Sequence, residues 1–290
     1  MTTYNFDREI DRKKTNSLKY DFAVERGRDV DVLPLWVADM DFQAPKPVLD
    51  ALQNAVSHGI FGYSEVKGEY FDALYRWFDS RFDWQPKSEW LVKTPGVVFA
   101  LAMAVRALTK EGDSVLIQPP VYYPFFEVIR DNNRKIVESP LLLTDGHYEI
   151  DFDDLEEKIA SQNVKLFLLC SPHNPVGRVW TKEELQKLGE LCDRYHVFVV
   201  ADEIHCELVY EGHDYTPFAS LSERFRQNSV TCVSPSKAFN LAGLQIANII
   251  AADEGVRRRI DRAININEVC DVNPFGVIAT IAAYNEGSAW

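Results

Sequence analysis

From residue 91 onward, short apolar runs alternate with segments whose apolar residues recur every three or four positions. The runs 114–118, 165–170, 197–201, 230–233 and 247–251 are apolar almost throughout, rather than at every second position. That pattern predicts strands buried on both faces of a mainly parallel sheet. Between the second and third runs, Thr181-Lys182-Glu183-Glu184 reads as a capping box, followed by Leu185, Leu188, Leu191 and Cys192 at helical spacing. Asp153-x-x-Glu156 predicts the start of another capped helix, with Leu155 and Ile159 facing inward, and 97–109 reads as a long apolar helix. The alternation is βαβα, which predicts an α/β fold with right-handed crossovers. One link breaks the rule. Val233 to Ala247 is too short for the helical crossover that a parallel neighbour needs, so 247–251 is expected to run antiparallel.

The first 45 residues are charged and irregular, with Val32-Leu33-Pro34-Leu35-Trp36-Val37 as one apolar island. They are expected to belong to a smaller unit, and residues 46–290 to a large one. Composition narrows the class: 46% of the 290 residues are hydrophobic, which excludes a disordered chain. The net charge of −13 argues against a nucleic-acid surface, yet leaves room for a local phosphate site. The N-terminal stretch has charges without an apolar core behind them, and no apolar run approaches the ~20 residues that cross a bilayer. Cys170, Cys192, Cys206, Cys232 and Cys270 are scattered without a CxxC pair, the usage of reduced, buried thiols, so a cytoplasmic protein is expected.

In an open α/β sheet the ligand sits beyond the carboxyl ends of the strands. Those ends carry Ser171-Pro172-His173-Asn174-Pro175-Val176-Gly177, then Asp202-Glu203-Ile204-His205, then Ser234-Pro235-Ser236-Lys237. An amide, a carboxylate and a lysine are thus expected on one rim. Upstream, Thr94-Pro95-Gly96 precedes the apolar helix, whose free N–H groups suit a phosphate. Phosphate, lysine and carboxylate together match an aldehyde cofactor with a pyridine nitrogen. Asp202, Glu203, His205 and Cys206 lack the spacing of an HExxH or paired CxxC site, so no metal is expected.

Here the chain resembles a known family. Ser234-Pro235-Ser236-Lys237-Ala238-Phe239-Asn240 looks like the cofactor-lysine motif of fold-type I pyridoxal 5′-phosphate enzymes. Ser171–Gly177 is similar to their Asn-Pro turn. Asp202–His205, Trp36–Phe42 and Phe61-Gly62-Tyr63-Ser64 resemble the MalY/PatB branch of cystathionine β-lyase-like C–S lyases, within the class I/II aminotransferase superfamily. The resemblance covers the whole chain in family order.

It implies a role for each residue, beside a plainer reading. Lys237 would carry the cofactor and shuttle the Cα proton; a lone loop lysine is otherwise a solvated one. Asp202 would pair with the pyridine nitrogen, although strand ends often hold a turn aspartate. Asn174 would bond the 3-hydroxyl oxygen, and it also fits a simple Asn-Pro turn. Tyr122 would stack on the ring, with Tyr123 its close rival. Gly96, Val97 and Val98 would offer N–H groups to the phosphate, helped by the hydroxyls of Ser234 and Ser236. Tyr63 would reach the phosphate of a second subunit, which implies a homodimer. The superfamily's usual tyrosine and arginine are replaced by His205 and Gln245, so phosphate binding leans on the helix end, and His205 either touches the cofactor or merely packs.

The implied function is C–S β-elimination from cystathionine or cysteine S-conjugates, giving thiol, ammonia and a 2-oxo acid. Transamination shares the same residues up to the carbanion and stays open. So does a chain that binds cofactor or partner without turnover. Ile278–Tyr284 reads as an apolar helix near the end at Trp290, where the family continues into a C-terminal small domain. That domain, with the arginine that grips the substrate carboxylate, is expected to be missing here.

Overall fold

The computed structural model describes residues 4–29, 31–269 and 271–290. Helices α1 (Lys46–His58) and α2 (Gly68–Phe82) precede strand β1 (Leu91–Thr94), helix α3 (Val97–Leu108) and strand β2 (Ser114–Ile117). Next come α4 (Pro124–Arg130), β3 (Lys135–Glu138), β4 (Leu142–Thr144), β5 (His147–Glu149), α5 (Phe152–Ser161) and β6 (Val164–Cys170). The chain continues through α6 (Lys182–Arg194), β7 (Phe198–Asp202), α7 (Glu223–Gln227), β8 (Ser229–Val233), β9 (Ala247–Ile250), α8 (Glu254–Asn265) and α9 (Pro274–Glu286).

Seven strands form one sheet in the order β1-β9-β8-β7-β6-β2-β3, and β4 and β5 form a separate hairpin. β2, β3, β6, β7 and β8 pair in parallel. β9 runs antiparallel to both β8 and β1, as the short link after Val233 requires. In β6 each face is buried: Leu166 and Leu168 join α3, α4 and α8 on one side, and Phe167 and Leu169 join α5 and α6 on the other. A third cluster at the β1–β9 edge packs Tyr70, Trp77 and Phe78 of α2 against Val277, Ala283 and Tyr284 of α9. Parallel strands sheathed by helices on both faces need no polar side, which explains their unbroken apolar runs.

The expected capping box forms at α6. Thr181 Oγ1 accepts from the Glu184 N–H at 3.1 Å, and Glu184 Oε2 accepts from the Thr181 N–H at 2.8 Å. At α5 the cap sits two residues earlier than expected: Asp151, not Asp153, accepts the Asp154 N–H at 3.1 Å. Cys170, Cys192, Cys206 and Cys232 are buried free thiols, while Cys270 lies outside the described residues.

Gly189 in α6 is a close-approach glycine. A Cβ there would lie 2.5 Å from the ring of Phe225, which is buried and stacked on Phe218 with 5.6 Å between centroids. Alanine adds about 1 kcal/mol of helix propensity, but overlap with a clamped ring costs about 1–3 kcal/mol. Gly189→Ala is therefore expected to lower the denaturant midpoint, and an unchanged or raised midpoint would show that Phe225 moves aside freely.

Among residues 4–45 the chain makes few repetitive bonds and is tied by charge. Arg12 bonds Asp39 at 2.5 Å and Asp41 at 2.7 Å, and Lys19 donates to the Asp39 carbonyl at 2.9 Å. Phe6 packs against Phe42 and Trp290, and the Trp290 indole N–H donates to the Gln43 carbonyl at 3.0 Å.

Candidate active site

Parallel order places the carboxyl ends of β6, β7 and β8 side by side, so the residues that follow them share one rim. Asp202 ends β7 and is buried; its Oδ1 accepts the Ile204 N–H at 3.2 Å. Burial pushes its pKa up to about 7, against the lowering effects of that bond and of the Lys237 charge. Asp202 is thus a turn aspartate and also a buried carboxylate that makes no salt bridge among the described residues. Lys237 follows β8, half-buried. Burial lowers its pKa, opposed by the charges of Asp39 and Asp202. Its Nζ lies 3.5 Å from the Ala38 carbonyl.

His205 is partly buried, and its pKa is lowered by burial and then by the Lys237 charge. It shares a groove of about 580 Å³ with Asn174. The Asn174 backbone N–H points to Cys170 Sγ at 3.3 Å, fixing the turn just beyond β6. Tyr122 is half-buried before α4, and burial, then the charges of Tyr123 and Asp202, raise its pKa. Tyr123 is 66% exposed, which separates the two tyrosines. The start of α3 is capped by Gly96 without any side-chain bond, so its first N–H groups stay available. α3 packs against β7, β8 and β9, beneath the same rim.

Ser234 departs from the expected role. Its hydroxyl donates to the Ile246 carbonyl at 2.7 Å and accepts the Ser236 N–H at 3.1 Å. With its proton spent on the backbone, the Ser234 hydroxyl ties the loop to the Ile246 carbonyl. Tyr63 is 98% exposed.

Two residues were not singled out by the sequence. Asn240 clamps the segment over Lys237: its Oδ1 accepts the Met40 N–H at 3.0 Å, and its Nδ2 donates to the carbonyls of Met40 at 3.0 Å and Phe42 at 2.9 Å. Its positive φ of 57° orients the side chain for this, a conformation asparagine tolerates. The partnership spans 200 residues, so only its motif position hinted at a role. His173 is buried, its Nε2–H donating to the Pro120 carbonyl at 2.9 Å. Burial lowers its pKa to about 4, so it stays neutral and structural. Glu203 points away from the rim, accepting from Tyr215 Oη and from the Phe218 N–H at 2.9 Å.

A hollow of about 530 Å³ flanks Lys237 and is lined by Arg12, Asp39 and Asn240. The Arg12 cation is already paired with two carboxylates, so it does not offer a free grip for a substrate carboxylate. The donor set fits an aldehyde cofactor: a lysine of depressed pKa, a buried carboxylate for a cationic ring nitrogen, and an uncapped helix start for a phosphate.

The mainly parallel sheet, with a lysine and a buried carboxylate at adjacent strand ends, fits the expected fold-type I transferase-like class. The chain belongs to the class I and II aminotransferase family, whose model, "Aminotransferase class I and II", matches residues 30–285. It is 48% identical to cystathionine beta-lyase PatB of Bacillus subtilis (strain 168), over 99% of this chain and 74% of that protein. Cystalysin from Treponema denticola, whose structure contains pyridoxal 5′-phosphate, superimposes with a TM-score of 0.95 at 38% identity, covering 100% of this chain and 74% of that one. A PLP-bound C–S lyase from Staphylococcus hominis gives a TM-score of 0.92 at 38% identity, covering 100% and 72%. These relatives bear out the resemblance to the MalY/PatB branch and the fold-type I expectation.

Proposed function

We propose that this chain is a pyridoxal 5′-phosphate-dependent carbon–sulfur β-lyase that cleaves cystathionine or other cysteine S-conjugates. The observation that carries the reading is the placement of half-buried Lys237 and buried Asp202 after adjacent parallel strands. Similarity to proteins named cystathionine β-lyase and C–S lyase supports the reaction type.

When bound, the cofactor supplies an electron sink for the pair released at Cα. Lys237 would hold the cofactor until the substrate amine displaces its Nζ, and the freed amine, its pKa lowered by burial, would then take the Cα proton. Asp202 would keep a proton on the ring nitrogen, and Asn174 would bond the 3-hydroxyl oxygen. Tyr122 would cover the ring, His205 would lie near it, and Gly96, Val97, Val98 and Ser236 would hold the phosphate. The C–S bond then breaks, and sulfur leaves Cβ with the bonding pair and takes up a proton. One water hydrolyses the three-carbon remainder to pyruvate and ammonia.

The test supplies cystathionine to the cofactor-loaded protein. Equal amounts of pyruvate and free thiol are expected, whereas amino transfer to a 2-oxo acid without thiol release would overturn the lyase reading.

We infer a homodimer in which Tyr63 reaches the phosphate of the other subunit. Tyr63, Ile60 and Phe61 are 98%, 74% and 63% exposed, an apolar group that a second copy would cover. Residues 1–45 are assigned to a small unit and 46–290 to the cofactor-binding unit. Buried, unpaired thiols support a cytoplasmic setting, and among the described residues no helix is long and apolar enough to cross a membrane.

A further inference from the structure

The groove that holds Asn174 and His205 differs in chemistry from the rest of the chain. His147, His173, His205 and His213 line it, four of the six histidines in the protein, and Arg178 adds a guanidinium. Among the described residues, none of those lining it is Asp or Glu, although 44 of the 290 residues are acidic. A lining of donors without carboxylates, in a chain of charge −13, favours an anion.

Two of those donors are already committed. His173 donates to Pro120, and Arg178 is bound to both Glu184 carboxylate oxygens at 2.7 Å and to the Tyr148 carbonyl. His205, within the field of Lys237, marks the inner end. His147, at the start of β5, and His213, in the turn after β7, are exposed and mark the mouth. Leu208 and Tyr210 line the passage and are 48% and 90% exposed, a surface suited to methylene groups.

In a thioether substrate the amino-acid half is held at Lys237, and whatever lies beyond sulfur must extend outward. We propose that this groove receives the thiol half and selects one ending in a carboxylate, to which His147 and His213 donate imidazole N–H groups. The proposal rests on the lyase reading for its substrate, while the groove's taste for a carboxylate is testable by itself.

The first measurement follows the histidine side-chain NMR signals of the cofactor-loaded protein. It is titrated with 3-(methylthio)propionate, a thioether acid that has no amino group to react at Lys237, and separately with the neutral amide of that acid. The acid is expected to move the His147 and His213 signals and to leave His58 and His196 in place, since those two lie outside the groove. The amide is expected to bind at least about fivefold more weakly, as loss of a charge-assisted hydrogen bond dictates. The second measurement compares S-(2-carboxyethyl)cysteine with its side-chain amide in wild type and in the His147→Ala/His213→Ala double variant. Both positions are exposed, so the fold tolerates the change. The double variant is expected to lose about tenfold in kcat/KM for the acid and to keep the amide within about twofold.

Equal shifts by acid and amide, no shift at His147 and His213, or an equal loss on both conjugates would overturn the groove assignment. If neither conjugate releases a thiol, the lyase reading fails, and the NMR titration still decides the groove.

Discussion

Lys237→Ala is expected to abolish the visible absorbance band of the lysine-bound cofactor and to lower thiol release by at least about a thousandfold. In the proposed mechanism the side chain serves twice, as the covalent anchor and as the base at Cα. Neither task passes to a neighbour. His205 lines the groove with Asn174 and not the hollow that flanks Lys237. Lys237→Arg preserves the positive charge but not the chemistry, because a guanidinium stays protonated and is no usable nucleophile. It is therefore expected to be as inactive as the alanine variant. Far-UV circular dichroism separates loss of chemistry from loss of fold, since Lys237 is only half-buried and its one bond is a long contact with the Ala38 carbonyl. A variant that keeps the band, or more than about a tenth of the activity, would remove Lys237 from the mechanism.

How far these roles were visible beforehand depends on where each residue's environment comes from. The five central strands were legible because burial on both faces writes an unbroken apolar run, as in Leu166–Cys170. β1 and β3 were not, since edge strands are short and mixed: Lys93 interrupts one, and Lys135 and Glu138 bound the other. The hairpin of β4 and β5 lies outside the main sheet and is mostly exposed, so its pattern carried no core signal. Asp202, Lys237 and Asn174 could be placed on one rim by topology alone, because parallel strands end on the same side. Local chemistry beyond that was opaque. Nothing in Ser234-Pro235-Ser236 shows that Ser234 spends its proton on Ile246, twelve residues away on the antiparallel return. The Asn240 clamp on Met40 and Phe42 depends on how the N-terminal segment crosses the rim, which no periodicity encodes.

Asp202→Asn is expected to cut thiol release by about 10²–10³-fold, the cost of removing one preorganised charge from a buried site. It is also expected to flatten the pH dependence of stability in the cofactor-free protein. The folded carboxyl has a pKa near 7 against an ordinary value of 3.8, so between those limits the folded state holds a proton that the unfolded state has released. More protons on the folded state means that stability falls as pH rises across this window. Glu203, raised to about 8 from 4.5 by burial, acts in the same direction and persists in the variant. Wild type without cofactor should therefore lose more stability between pH 5 and pH 8 than Asp202→Asn does. A bound pyridinium would remove this dependence at Asp202, because a cation beside the carboxylate favours its ionised form. Cofactor binding should then protect the wild type more strongly at pH 8 than at pH 5, with little such difference in the variant. Denaturant midpoints at the two pH values, with and without cofactor, supply all four comparisons. Parallel slopes in wild type and variant would mean that Asp202 is not the group that titrates, and its partnership with a ring nitrogen would lose its electrostatic basis.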